Sequence, residues 1–135
     1  AELEIWKMRA DGEYVHFKTY PMCRWSGQLG PKRREGDRQV PEGIYAIESL
    51  NPNSRFHLSL RVDYPNAADR RRAQAEGRTE LGGDIMIHGI KNGFSWVGDL
   101  HARVDWTKGC IAVTDEEIEE IDKLVPKGTI VEIRP

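Results

Sequence analysis

Cysteine is scarce: Cys23 and Cys110 are the only two in 135 residues. Two thiols cannot build a disulfide scaffold or a cysteine-rich structural zinc cluster. One Cys23–Cys110 bridge is formally possible, and a catalytic Cys110 requires that no such bridge persist. Long apolar runs are missing too; none approaches the roughly 20 residues that a bilayer span needs. No signal peptide is visible. The chain starts at Ala1 without a Met and enters a strand-like pattern at once, so a processed or truncated N-terminus is expected. Charge of one sign is also lacking: 20 Lys and Arg stand against 22 Asp and Glu, a net charge of -2. No single-sign field follows, and nucleic acid is not expected as a partner. The local basic clusters Arg70-Arg71-Arg72 and Lys32-Arg33-Arg34 have Asp69, Glu76, Glu35 and Asp37 as neighbours. They read as solvated faces.

What is present fits one folded domain over residues 1–135, with a hydrophobic content of 39% to supply one core. Residues 3–8 alternate apolar and polar, the period of a half-buried strand. Asp11-Gly12 is a hairpin turn signal, and residues 14–20, rich in aromatic and β-branched types, read as the partner strand that Pro21 ends. Residues 26–43 are dense in Gly, Pro and charge and read as a long ordered loop without a buried element. Strand chemistry returns at 44–50, and 51–54 reads as a turn. Residues 56–62 alternate: Phe56, Leu58, Leu60 and Val62 share one face, and His57, Ser59 and Arg61 the other. Residues 67–76 predict a surface helix, its only apolar side chains alanine, with a stop at Gly77.

The second half is organised around residues 85–113. Two short apolar runs there, 85–87 and 111–113, predict neighbouring strands. Thr114 and Glu117 form a capping box, and Ile118, Ile121, Leu124 and Val125 lie on one face, which predicts an amphipathic helix over 115–124 packed on a sheet. Pro126 and Gly128 end it, and residues 129–133 close the chain as a strand.

Each apolar run carries one reactive side chain: His88 follows the first and Cys110 precedes the second. A free thiol titrates near pH 8.5, so a nucleophilic cysteine needs a nearby base or positive charge. His88 is one candidate base, at the end of a strand and followed by a glycine. His101, in an apparent loop, is the other. A neutral imidazole also needs its far nitrogen held; Asp84 or the Gly89 carbonyl serves. Gly109 leaves the adjacent backbone N–H free to face a developing oxyanion, and Lys108 is a cation close to the thiol in sequence. A zinc site from His88, His101 and Cys110 has the right ligand types but not the close paired spacing of the usual motifs.

His88 followed after a spacer by Thr107-Lys108-Gly109-Cys110 resembles the signature of the L,D-transpeptidase catalytic domain, the YkuD family. That signature is a histidine and then, after a spacer, Ser or Thr followed by His-Gly-Cys. GDRQVPEGIY at 36–45, NPNSRFHLSL at 51–60, DYPNAADR at 63–70, GGDIMIHG at 82–89 and DWTKGCIAV at 105–113 are similar to the YafK-like, murein-active branch. Two positions depart from the pattern: Lys108 stands where the family has histidine, and Ala112 where it often has arginine.

The resemblance implies a mainly β fold, a mixed β-sandwich with one main helix near 115–124. It implies cysteine acyl transfer on peptidoglycan stem peptides, with Cys110 as nucleophile and His88 as general base. The Gly89 carbonyl orients His88, and the Gly109 and Cys110 N–H groups form the oxyanion hole. Lys108, His57 and Arg61 become candidate substrate-binding residues. The same match implies a monomer in the periplasm or cell envelope, in cell-wall biogenesis and cell shape, without metal or cofactor. Hydrolysis that releases a wall-linked peptide or lipoprotein is the alternative within the enzyme class. A catalytically silent wall-binding module is the alternative outside it.

Overall fold

The computed structural model describes residues 1–23 and 25–135. The fold is mainly β, in two sheets. Strands β1 (Glu2–Met8) and β2 (Tyr14–Pro21) form an antiparallel hairpin across the Asp11-Gly12 turn. Gly12 takes φ 86° there, a conformation that suits glycine. The hairpin turns Ile5 and Tyr20 into the core and leaves Trp6, Met8, Tyr14 and Phe17 exposed.

The larger sheet runs in the order β6-β5-β4-β3-β7, from strands Ile111–Ala112, Met86–His88, His57–Val62, Gly43–Ser54 and Ile130–Ile133. Its neighbours are antiparallel except β5 and β6, which run parallel. The two runs expected to be neighbouring strands are therefore neighbours. One expectation changes: residues 51–54 are not the turn. β3 continues through them to Ser54, which pairs with His57. Pro52 is tolerated because the ladder is irregular between Asn51 and Ser54, so its missing N–H breaks no regular bond.

Helix α1 (Ala67–Ala75) starts at Asn66, whose side chain accepts from the Asp69 N–H while Asp69 reaches back to the Asn66 N–H. It lies on the surface as its alanine-only pattern requires, with Ala73 and Asp69 turned inward. Asp69 accepts from the Tyr45 hydroxyl at 3.0 Å. Arg70, Arg71 and Arg72 are exposed, as expected of a solvated face. Helix α2 (Asp115–Leu124) has the expected Thr114–Glu117 box, with bonds of 2.8 and 3.2 Å. Its Ile118 and Ile121 are buried against β4 and β5, in one core with Tyr20, Ile47, Leu60, Ile87, Ile111 and Val113.

Of the segment 26–43, residues 26–42 form no helix or regular strand and Gly43 already opens β3, but it is not the wholly superficial loop its composition predicts. Val40 and Pro41 are buried, and so is Lys32. The reading of 32–34 as a solvated cluster therefore holds for Arg33 and Arg34 and fails for Lys32. The Lys32 ammonium has an internal partner in Asp37 at 2.8 Å, which is what permits a lysine inside. Because α2 stabilises the sheet mainly through two buried isoleucines, Ile118→Ala should cost about 3 kcal/mol, read as a lower urea midpoint at unchanged slope.

Candidate active site

The parallel β5–β6 pair builds the site. Ile87 lies opposite Ile111 and His88 opposite Ala112. The Val113 N–H closes the ladder on the His88 carbonyl at 3.0 Å. Parallel strands sit about 4.8 Å apart and alternate their side chains. Cys110, two residues before Ala112, therefore belongs to the face that carries His88. Across β4 the same face carries Ser59, opposite His88, and Arg61, opposite Met86.

His88 is 3% exposed. Its ring packs on Phe56 at 4.4 Å between centroids and on the edge of Trp106 at 5.8 Å. Nδ1 lies 2.6 Å from the Gly89 carbonyl oxygen, which can only accept, so Nδ1 carries the proton and Nε2 is left with its lone pair. Burial pushes the imidazole below its usual range, only partly offset by the Gly89 carbonyl. His88 is thus a neutral base of fixed tautomer. Gly89 must be glycine for a packing reason: a Cβ there would meet Asp115 Oδ1 at 2.7 Å and the Phe56 carbonyl oxygen at 2.9 Å. Asp115, the first residue of α2, also accepts from the Ile90 N–H at 2.9 Å, so the helix pins the turn after His88.

Cys110 and Cys23 are both free thiols. Cys23 is fully buried beside the 105–107 backbone, whereas Cys110 is half-buried. The Cys110 thiol donates to the Asp84 carbonyl at 3.3 Å. Burial pushes it up; the Met86 backbone N–H and the Lys32 ammonium oppose that, and Asp84 adds to it. The turn before Cys110 is tied down by the Thr107 hydroxyl, which donates to the Cys110 carbonyl at 2.7 Å. Gly109 has φ 107°, and a Cβ there would lie 2.5 Å from the Gln39 carbonyl oxygen. Only glycine fits both demands.

The other sequence candidates fall around this centre. Lys108 is exposed and is not among the charges that act on the thiol. Arg61 ion-pairs with Asp84 at 2.8 Å and Glu48 at 3.1 Å, so it clamps the residue whose carbonyl accepts the thiol hydrogen bond. His57 takes φ 70° beside the β3–β4 irregularity, and its ring meets Glu119 of α2 at 2.7 Å. Ser59, which alternation places on the same face as His57 and Arg61, is 3% exposed.

His101 lies in a 3₁₀ segment, Ser95–Arg103, that turns sharply at Gly98. It is buried close enough to His88 to disfavour protonation there. Both its ring nitrogens are buried without a hydrogen-bond partner among the described residues. Among those residues no group of three His, Cys, Asp or Glu side chains converges, so His88, His101 and Cys110 do not form a ligand set. Sequence reasoning missed Lys32. The only available signal was its spacing to Asp37 in a loop otherwise rich in exposed charge.

A buried imidazole and a half-buried thiol, at the ends of adjacent parallel strands of a mixed sheet and each beside a glycine, define a class of β domain. The chain belongs to the YkuD family, the L,D-transpeptidase catalytic domain, which matches residues 6–133. It is 35% identical over 115 residues to the Escherichia coli protein named "Putative L,D-transpeptidase YafK", covering 84% of this chain and 39% of that one. The fold is similar to the helical cell shape determining protein Pgp2 of Campylobacter jejuni: TM-score 0.75, 25% identity, covering 98% of this chain and 43% of that chain. It is also similar to Bd1075 of Bdellovibrio bacteriovorus: TM-score 0.67, 22% identity, covering 98% and 44%. The chain thus spans about two fifths of the length of these relatives.

Both buried histidines are held below their usual pKa by burial. The unfolded chain takes up protons at both near pH 6.5 while the folded chain resists, so stability should fall as pH drops below about 6.5. His101→Phe should flatten that decline between pH 7 and 5, measured by urea denaturation across pH. An unchanged slope would remove His101 from the account.

Proposed function

We propose that the domain, acting as one unit over residues 1–135, is a cysteine acyltransferase on peptidoglycan stem peptides. The observation that carries this reading is the placement of His88 and Cys110 on one face of adjacent parallel strands, with His88 Nδ1 committed to the Gly89 carbonyl. His88 Nε2 takes the Cys110 proton. The thiolate attacks the amide carbonyl at the L-centre of a diamino-acid residue, and a C–S bond forms as the carbonyl oxygen becomes an oxyanion. The Gly109 and Cys110 N–H groups stabilise that oxyanion. The C–N bond then breaks, and the amine leaves with the proton held by His88, giving a thioacyl-enzyme. An acceptor amine attacks the thioester, loses its proton through His88 and restores the thiol. Water in place of the amine gives hydrolysis through the same intermediate.

The family match and the likeness to a cell shape determining protein support a wall substrate, and hence action in the periplasm or envelope. A groove of about 800 Å³ is lined by Gln39, whose backbone packs on Gly109, and by Arg33, Arg34, Arg38 and Arg78. It suits a peptide that bears several carboxylates. Lys108 is exposed at the mouth of the Cys110 turn and Arg61 beside Asp84, and both are assigned to substrate contact. His57 takes that role only if its pairing with Glu119 opens.

Cys110→Ala should lower turnover of muropeptides at least about a thousandfold with an unchanged circular dichroism spectrum; retained turnover overturns the mechanism. A carbapenem should add its mass to Cys110 and not to buried Cys23, read by peptide mapping. With muropeptide donor and acceptor together, cross-linked product marks transfer. Hydrolysed stems alone would replace transfer with hydrolysis and keep the acyl-enzyme.

A further inference from the structure

The buried ion pair of Lys32 and Asp37 plays no part in the steps above, yet it lies against the site from two sides. The two side chains are 4% and 8% exposed and 2.8 Å apart. Asp37 is the hub of its loop: Oδ2 accepts from the Arg33 and Arg34 N–H groups at 2.8 and 2.9 Å, and Oδ1 from the Gln39 N–H at 3.1 Å and from Lys32. Burial pushes the Asp37 carboxyl up, but Lys32 and the three N–H donors hold it below its usual range. Lys32 also donates to the Arg34 carbonyl at 3.2 Å, and its own N–H bonds Val40 at 2.9 Å. The loop conformation is thus fixed from within.

This knot touches both flanks of Cys110. On one flank the Gln39 backbone presses on Gly109, whose added Cβ would meet the Gln39 carbonyl carbon at 3.2 Å and its oxygen at 2.5 Å. On the other, an added Cβ at Gly82 would meet Lys32 Cε at 3.1 Å and Glu35 Cα at 3.0 Å. The Glu35 N–H bonds the Glu80 carbonyl at 3.0 Å. The strand entry held in this way leads to Asp84, the acceptor of the Cys110 thiol.

We propose that Lys32, anchored by Asp37, is a positioning residue for the nucleophile: it holds the Gly109 turn and the Asp84 approach around Cys110 and supplies the buried positive charge that favours the thiolate. Among the described residues, the charged and titratable groups around the sulfur are few. His88 stands on β5, Asp84 at its entry with Arg61 paired to it, Lys108 points out beyond Gly109, and Lys32 comes from the loop. Of these, Lys32 is the cation that lowers the thiol and Asp84 the anion that raises it. The same ammonium therefore offsets, through its field, part of what burial costs the thiolate. This inference rests on Cys110 being the nucleophile.

The test is the pH dependence of iodoacetamide alkylation of Cys110, followed by peptide mapping. Lys32→Met should raise the midpoint by roughly half to one pH unit, so that alkylation at a pH below the midpoint slows about three- to tenfold. Lys32→Arg should restore the rate to within about threefold of the parent, because the charge is kept. If Lys32→Met does not fold, the double variant Lys32→Met with Asp37→Leu replaces the pair by apolar groups, a change that buried ion pairs often tolerate. It should show the same upward shift. A folded variant with the parent midpoint overturns the inference and leaves the acyltransferase reading intact, since a purely structural role lowers stability without moving the midpoint. A parent protein whose Cys110 resists alkylation across the whole pH range overturns both.

Discussion

The parallel pairing of β5 with β6 is the constraint on which the rest depends. β5 is three residues long and β6 two. So short a ladder has little stability of its own. It persists because Ile87, Ile111 and Val113 are buried in the core and α2 packs on β4 and β5. The register is set there: a slip of one residue would turn His88 into the core and Ile87 onto the reactive face. The chemistry is thus carried by hydrophobic packing, and the reactive side chains contribute little to holding their own strands together.

Three glycines translate that register into a site, each for a different physical reason. Gly89 gives room for Asp115 and the Phe56 carbonyl, so that the turn after His88 packs under the helix start. Gly109 combines a positive φ with close approach of the Gln39 carbonyl. Gly82 lets the Lys32 stem cross the entry to β5. A side chain at any of them would push a neighbouring segment away before it touched a reacting group.

Much of the fold was legible because its signals are local. Alternation marked β1, aromatic and β-branched content marked β2, the Thr114–Glu117 box marked the start of α2, and the apolar runs marked β5 and β6. Cys110 and His88 stood out because each sits at an end of a short apolar run beside a glycine. The illegible parts depend on partners distant in sequence. Lys32 reads as surface charge until Asp37 folds back on it and Gly82, far along the chain, makes room. His101 reads as a loop residue because only the turn at Gly98 brings it inward beside His88. β3 outran its expected end because Asn and Pro signal turns wherever they occur, and an irregular ladder accepts them.

The same logic separates two kinds of positive charge near the thiol. Lys108 is adjacent in sequence, yet it is exposed, and water screens it. Lys32 is remote in sequence but buried, where a charge is screened far less. A buried ammonium must be neutralised, and Asp37 does so. The loop carboxylate is the condition for the cation, and the cation is what reaches the sulfur. With Lys108 where the resemblance places a histidine, the turn lacks an imidazole, yet the exposed lysine is not the charge on which the proposed thiolate depends. In the proposed mechanism the burden of proton transfer falls on His88, and that of field on a loop whose composition gave no hint of it.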